Sequence, residues 1–172
     1  DQIYDEHIYI FSAHSVKKIF NLHDFDLIDI ISQPSHGGSM RYVVGRKGKH
    51  EIKTSVNKIM DTEKKLLLNN ISSCLNFKKQ CENSKKKTVD ELELFKKNGK
   101  TICGYAATSK STTILNYCGI GPNVIDYICD TTPEKIGKFS PGAHIPIVSM
   151  EKFYEDMPDV AFLFAWNHKK EI

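Results

Sequence analysis

The fold is decided by one segment, Thr101-Ile102-Cys103-Gly104-Tyr105-Ala106-Ala107-Thr108-Ser109-Lys110-Ser111-Thr112-Thr113-Ile114-Leu115-Asn116-Tyr117-Cys118-Gly119. Its first five residues predict a short buried strand, and residues 112–118 predict a helix that ends at a glycine. The first backbone N–H groups of such a helix lack intrahelical partners, and the helix dipole adds partial positive charge. The hydroxyl groups and the single lysine before the helix therefore predict a phosphate site at this turn.

An ordinary helix cap explains the same turn without any ligand. Serine and threonine are common N-cap residues, and this segment has four of them in five positions, Ser109 and residues 111–113. The loop matches neither a Gly-x-Gly-x-x-Gly pattern nor a Walker loop. A phosphate site and a simple cap both stay open from these residues alone.

Downstream of this segment, strands and helices alternate. Residues 124–130 predict a second strand, 145–148 a short strand and 159–166 a very apolar strand, with a helix near 150–156. This order predicts an α/β fold, a Rossmann-like open and mainly parallel sheet with helices on both faces. Asp130 ends the second strand, where such folds often place an acid that binds ribose hydroxyls; a solvent-exposed strand-end acid is the alternative.

Upstream, the pattern is different. A helix over residues 13–22 precedes two predicted strands, 26–33 and 40–44, which form an antiparallel hairpin. Residues 54–98 have helical periodicity, with a break at Asn69-Asn70. The sheet is therefore expected to follow a helix, a β-hairpin and a long helical segment.

Composition limits the class of protein. The 172 residues are 40% hydrophobic and carry a net charge of only +3. We therefore expect one domain with a core, or one domain plus a fragment, and no nucleic-acid partner. No apolar run is long enough to cross a membrane, and no signal peptide opens the chain. The five cysteines form no C-x-x-C pair, which favours reduced thiols in a cytoplasmic protein. Because the chain starts at Asp1 and a motif follows at once, we expect a piece of a longer protein.

Six motifs occur in order along the chain: Tyr4-x-Glu6-His7-x-x-x-Phe11-Ser12, His36-Gly37-Gly38-Ser39-x-Arg41, Gly104-Tyr105-x-Ala107-x-x-Lys110-x-x-Thr113-x-Leu115-Asn116-Tyr117-Cys118-Gly119-Ile120, Asp130-x-x-Pro133-x-Lys135-x-Gly137, Pro141-Gly142-x-His144-Ile145-Pro146-Ile147 and Ala165-Trp166-Asn167. Together they resemble the C-terminal domain of the deoxysugar C-methyltransferases, over nearly the whole chain. One position departs from the resemblance: many relatives have Gly-Tyr-Gly-Ala, and here Ala106 replaces the second glycine.

The resemblance implies a three-part enzyme. A zinc-binding domain comes first, a domain that binds S-adenosylmethionine follows, and a second Rossmann-like domain holds a nucleotide-linked 4-keto sugar. On this basis residues 1–46 are the tail of the methyl-donor domain, 47–99 a helical connector and 100–172 the sugar-nucleotide-binding unit. The expected partners are the sugar nucleotide and the preceding domains of the same chain. Neither a cofactor nor a metal is expected to bind within this chain.

The resemblance also assigns roles to residues. His7 is the general base that forms an enolate next to the ketone, assisted by Glu6 and Tyr4. The substrate-binding candidates are Ser109, Lys110 and Thr112 for the diphosphate, Asp130 for the ribose, and Tyr105, Asn116 and His36. The competing hypothesis is a Rossmann-like module that binds a nucleotide, or acts as a scaffold, without chemistry.

Overall fold

A computed structural model describes residues 7–35 and 38–172 of the chain. The residues cluster into two compact units, and the boundary falls inside one long helix, between residues 79 and 80. We call residues 9–79 the hairpin unit. We call residues 80–172, which cluster with the described residues 7 and 8, the sheet unit.

The hairpin unit follows the predicted order of helix, hairpin and helices. Its elements are α1 (Ala13–Asn21), β1 (Phe25–Gln33), β2 (Ser39–Arg46), α2 (Thr54–Lys65) and the first part of α3 (Ile71–Lys97). Strands β1 and β2 pair antiparallel, so the predicted helix and hairpin are confirmed. The core consists of Ala13, Val16, Leu27, Ile30 and Val56.

Two carboxylates are buried in the hairpin unit, and both are paired. Glu63 of α2 accepts hydrogen bonds from the backbone N–H groups of Ala13 (2.6 Å) and His14 (3.1 Å), and from the His14 ring (2.8 Å). It therefore caps α1 from outside that helix. Asp29 accepts from the Lys53 ammonium at 2.8 Å and from the Ser55 hydroxyl at 2.5 Å. The Glu63 contacts therefore tie α2 to α1, and the Asp29 contacts tie the start of α2 to β1.

The sheet unit has the predicted α/β architecture. After the second part of α3 come β3 (Ile102–Tyr105), α4 (Ser109–Cys118), β4 (Tyr127–Cys129), β5 (Ile147–Val148), α5 (Met150–Asp156) and β6 (Val160–Leu163). The strands form one parallel sheet in the order β5-β4-β3-β6. Side chains of α3 and α4, Leu92 and Leu115, pack with Ile102 and Ile128 of the sheet. On the other face, Phe153 of α5 contacts Tyr105.

Several element boundaries differ from the prediction. Helix α4 begins at Ser109 instead of residue 112, because Thr108 provides its N-cap. Strand β4 is shorter than 124–130, because Val124 and Ile125 both donate to the Gly121 carbonyl and stay in a turn. Strand β6 ends at Leu163, and the chain then forms a short 3₁₀ turn at Trp166–His168.

The compact units also divide the chain differently from the predicted domains. Helix α2 packs on α1 and β1, and residues 47–65 cluster with the hairpin unit. The role of residues 47–99 as a connector stays a prediction. The second part of α3 contributes Leu92 to the core of the sheet unit. The descent of residues 1–46 from a methyl-donor domain stays a prediction. None of the helices in the described part of the chain is long and apolar enough to span a membrane.

Candidate functional site

Asp130 joins the two loops that leave β3 and β4. Its carboxylate accepts from the backbone N–H groups of Ala107 and Thr132, each at 2.7 Å. Burial alone would raise the pKa of Asp130, but these hydrogen bonds and the Lys135 ammonium outweigh burial and lower that pKa. Asp130 is therefore ionised, and it fixes the two loops at the carboxyl edge of the sheet. Its predicted contact with a ribose stays a prediction.

Helix α4 starts with a reciprocal cap. The Thr108 hydroxyl accepts from the Ser111 N–H at 3.1 Å, and the Ser111 hydroxyl accepts from the Thr108 N–H at 3.0 Å. Ser111 is 2% exposed and also donates to the Thr108 carbonyl. The cap interpretation is therefore confirmed for Thr108 and Ser111. The hydroxyls of Ser109 and Thr112 take no part in this cap.

A cavity of about 450 Å³ opens beside the first turn of α4. Its lining residues are Ala107, Thr108, Ser109, Ser111, Thr112, Glu134, Lys135, Lys138, Phe139, Ser140, Pro141 and Ile147. Two of the predicted phosphate-binding residues, Ser109 and Thr112, therefore lie at one cavity with two lysines. The start of a helix and two ammonium groups together favour an anion there.

The substrate-binding candidates predicted from the sequence did not include the two lysines of the cavity. The Lys135 ammonium donates to the Ala107 carbonyl at 2.7 Å and lies 3.4 Å from an Asp130 carboxylate oxygen. Lys138 is exposed, and within the described ranges no carboxylate oxygen lies within 4.0 Å of its ammonium. Lys135 belongs to the motif Asp130-x-x-Pro133-x-Lys135-x-Gly137, so the sequence contained a signal for this residue. Its orientation into the cavity depends on the turn that follows β4.

Lys110 lies elsewhere than its predicted partners. It is 9% exposed and does not line the cavity. Its ammonium donates to the Asn167 side-chain oxygen at 2.9 Å and lies 5.9 Å from the centre of the Trp166 ring. The structure therefore brings Ser109 and Thr112 together at the cavity and directs Lys110 to the end of β6. Binding of a diphosphate by Lys110 stays a prediction.

Two further candidates make contacts within the protein. Asn116 donates to the carbonyls of Thr112 and Pro141, at 2.8 and 2.9 Å, and so fixes the loop that borders the cavity. Gly142 is required beside it, because a β-carbon there would lie 2.0 Å from the Asn116 oxygen. The Tyr105 ring packs edge-on against Phe153, and burial raises the pKa of its phenol. Neither side chain lines the cavity.

The predicted catalytic cluster is described only in part. His7 is exposed, and Tyr4, Glu6 and His36 lie outside the described residues. The roles of all four stay predictions. For metals, a group of three or more His, Cys, Asp or Glu side chains that could hold an ion is absent from residues 7–35 and 38–172.

Ala106 has a left-handed backbone, with φ of +73°. Glycine adopts this conformation without cost, whereas an L-residue is strained by about 1–2 kcal/mol. The Ala106 N–H donates to the Cys129 carbonyl at 2.8 Å. This backbone group therefore serves the sheet and has no hydrogen to offer a phosphate.

Comparison with known proteins identifies the family of the chain. The chain belongs to the C-methyltransferase C-terminal domain family, whose profile matches residues 34–172. Over its whole length the chain is 31% identical to C-methyltransferase NovU of Streptomyces niveus. It spans 41% of the length of that relative. The predicted membership in a C-methyltransferase family is thereby confirmed.

Proposed function

We propose that this chain is the substrate-binding part of an S-adenosylmethionine-dependent methyltransferase that acts on carbon of a nucleotide-diphosphate-linked 4-keto deoxysugar. Membership in the C-methyltransferase C-terminal domain family supports the reaction class. The observation that carries the proposal is the cavity at the start of α4, where Lys135 and Lys138 lie with Ser109 and Thr112. A diphosphate has the charge and the acceptor oxygens that such a set binds.

The lining suggests how a nucleotide would be arranged. The first turn of α4 and the lysines bind the diphosphate. Phe139 is 62% exposed and lines the same cavity, so its ring offers an apolar face to the nucleobase. Asp130 stands between the two loops and is the candidate for the ribose hydroxyls. The sugar then extends from the diphosphate along the carboxyl edge of the sheet.

The methyl donor is proposed to bind outside this cavity. S-adenosylmethionine supplies a methyl group from a sulfonium centre, which is positively charged. The exposed ammonium of Lys138 lies in the lining, and its like charge disfavours a sulfonium there. The resemblance to the deoxysugar C-methyltransferases assigns S-adenosylmethionine and zinc to other domains of the complete enzyme.

His7 is the proposed base. Methylation of a carbon next to a ketone needs removal of a weakly acidic proton, and imidazole titrates in the range where such a base works. Loss of the proton leaves an enolate, and the enolate carbon then accepts the methyl group. Glu6 would orient the imidazole, and Tyr4 would hydrogen-bond the sugar.

Ligand binding by this chain tests the cavity. We expect thymidine diphosphate to bind in calorimetric titration and S-adenosylmethionine not to bind. Lys138→Met should weaken binding of thymidine diphosphate about tenfold, because it removes one charge-assisted contact of about 1.4 kcal/mol. Lys87→Met, on the exposed face of α3, is the matched control and should change affinity less than twofold. Absence of binding by the unaltered chain would overturn the proposal.

Turnover tests the base. In the complete methyltransferase, His7→Ala should abolish methylation, while affinity for the sugar nucleotide stays within threefold. Unchanged turnover would remove His7 from the base role. If the unaltered complete enzyme binds the nucleotide but transfers no methyl group, the non-catalytic module is the better description.

A further inference from the structure

Lys110 lies in the first turn of α4, at the carboxyl ends of β3 and β6. Residue 110 follows β3 by five positions, and its partner Asn167 follows β6 by four. With 9% exposure, the residue is nearly as buried as the core. Lysine is rarely buried unless its charge is paired, because removing an ammonium group from water is costly.

The partners of Lys110 do not neutralise its charge. The ammonium contacts an amide oxygen of Asn167 and the ring face of Trp166. Within the described parts of the chain, no carboxylate oxygen lies within 4.0 Å of it. The Asn167 oxygen accepts one of the three ammonium hydrogens, and residues 7–35 and 38–172 place no carboxylate against the others. An anionic group from a ligand would complete the environment.

The topology of the sheet puts this lysine where ligands react. From β3 the chain passes through α4 to β4 on one side, and it later returns through α5 to β6 on the other side. The connections diverge between β3 and β6. We call the space between the carboxyl ends of these two strands the crevice, because open α/β sheets bind ligands at such a point. Lys110 and Asn167 meet across this crevice.

This placement puts the cavity lysines and Lys110 at two separate places. Lys135 and Lys138 line the cavity beside the start of α4, and Lys110 does not. The cavity set suffices for the diphosphate of the proposed function. The crevice lysine is then available to the opposite end of the substrate, the sugar ring with its ketone.

We propose that Lys110 is a catalytic residue that stabilises the oxyanion formed on the substrate ketone, an inference that rests on the proposed function. When the base takes the proton, the electrons of the broken C–H bond form a carbon–carbon double bond. The carbonyl π pair moves onto the oxygen, which becomes negative and accepts a hydrogen bond from the Lys110 ammonium. When the carbon takes the methyl group, the pair of the carbon–carbon double bond becomes the new bond to the methyl carbon. The pair on the oxygen re-forms the carbonyl, and the electrons of the broken sulfur–methyl bond stay on the donor sulfur. A preorganised cation in a nearly dry site stabilises this charge strongly.

Steady-state kinetics of methyl transfer by the complete enzyme test the proposal. Lys110→Met should lower kcat at least 100-fold with KM within threefold, the range found for loss of one oxyanion donor. Lys138→Met, at the diphosphate, should instead raise KM about tenfold. Lys110→Arg keeps the charge and should recover at least one-tenth of kcat. Lys87→Met should match the unaltered enzyme.

Asn167→Asp keeps the test valid if Lys110→Met fails to fold. The new carboxylate supplies the missing counter-charge to Lys110, so the variant should fold normally and still lose at least tenfold in kcat. If Lys110→Met or Asn167→Asp keeps kcat, or if Lys110→Met raises KM in the manner of Lys138→Met, the inference is overturned. If the unaltered enzyme methylates no nucleotide-linked 4-keto sugar, the proposed function fails first, and this inference falls with it.

Discussion

The hairpin unit and the sheet unit differ in how their buried charged side chains are paired. In the hairpin unit, Glu63 and Asp29 are both buried, and each meets a basic side chain within 2.8 Å. In the sheet unit, the Asp130 carboxylate is matched by Lys135, but among the described residues Lys110 contacts only an amide oxygen and an aromatic ring. The hairpin unit satisfies its own buried charges. The described residues of the sheet unit supply no carboxylate to the buried Lys110 ammonium.

This difference separates stability from function. A paired buried group holds elements together, and its loss leaves an uncompensated partner. A buried group without a counter-charge makes the fold less stable than an apolar residue would, so its retention needs a functional explanation. The comparison therefore predicts large losses of stability in the hairpin unit, and small ones at Lys110.

The largest effect is expected at Glu63. Replacement by alanine removes the acceptor for two backbone N–H groups and the His14 ring, so Glu63→Ala should cost about 3 kcal/mol in the free energy of unfolding. Asp61→Ala is the matched control on the exposed side of the same helix and should cost less than about 0.5 kcal/mol. Urea denaturation followed by circular dichroism measures both. Equal costs would show that the Glu63 contacts do not stabilise the unit.

The same carboxylate gives the hairpin unit a pH dependence. Burial opposes ionisation of Glu63, but hydrogen bonds from Ala13 and His14 outweigh burial and lower its pKa. A lowered pKa contributes stability that is fully present above the ordinary value, near 4.5, and is lost as pH falls through the folded-state value. Glu63→Gln should therefore be less stable than the unaltered protein at pH 7, and the gap should narrow below pH 4.5. Thermal unfolding between pH 3 and 7 measures this gap, and a constant gap would contradict the assignment.

A smaller effect is expected at the β3–α4 turn. Ala106→Gly relieves the left-handed strain at φ of +73°, although glycine also gains entropy in the unfolded chain. The net result should be a gain of about 1 kcal/mol in the free energy of unfolding. Ala107→Gly, at the next position, provides the control because Ala107 has no positive φ, and it should not stabilise. Chemical denaturation measures the free energy of unfolding of both variants.

The smallest effect on stability is expected at Lys110. Because its charge is not neutralised, Lys110→Met should change the free energy of unfolding by less than about 1 kcal/mol, in either direction. Glu63→Gln, in the other unit, is the contrasting variant and should cost more. A loss at Lys110→Met as large as that at Glu63→Ala would mean that the two units do not differ in this respect.

The sequence predicted elements better than it predicted side-chain partners. The α1–hairpin order, the break near Asn69 and the C-cap at Gly119 follow from periodicity and from glycine or asparagine signals, which are local. The start of α4 was placed three residues late, because threonine and serine fit a cap at several neighbouring positions. The shortening of β4 was not visible either, since Val124 and Ile125 are buried in a turn and look like strand residues.

The site was predicted in part for a similar reason. Ser109 and Thr112 were placed at a phosphate site, and both line the cavity. Lys135 and Lys138 were missed, because their approach to α4 depends on the folding of the loop after β4. The direction of the Lys110 side chain was also inaccessible, because Asn167 is 57 positions away in sequence. Only the strand order brings those two residues together.

Trp166 is a natural fluorescent probe at the crevice. It is the single tryptophan among the 172 residues, and its ring lies 5.9 Å from the Lys110 ammonium. Indole emission responds to nearby charge and to contact with water. Tryptophan fluorescence of this chain therefore reports on the crevice without an added dye. Binding of a ligand beside Lys110 should change the wavelength or the intensity of the emission.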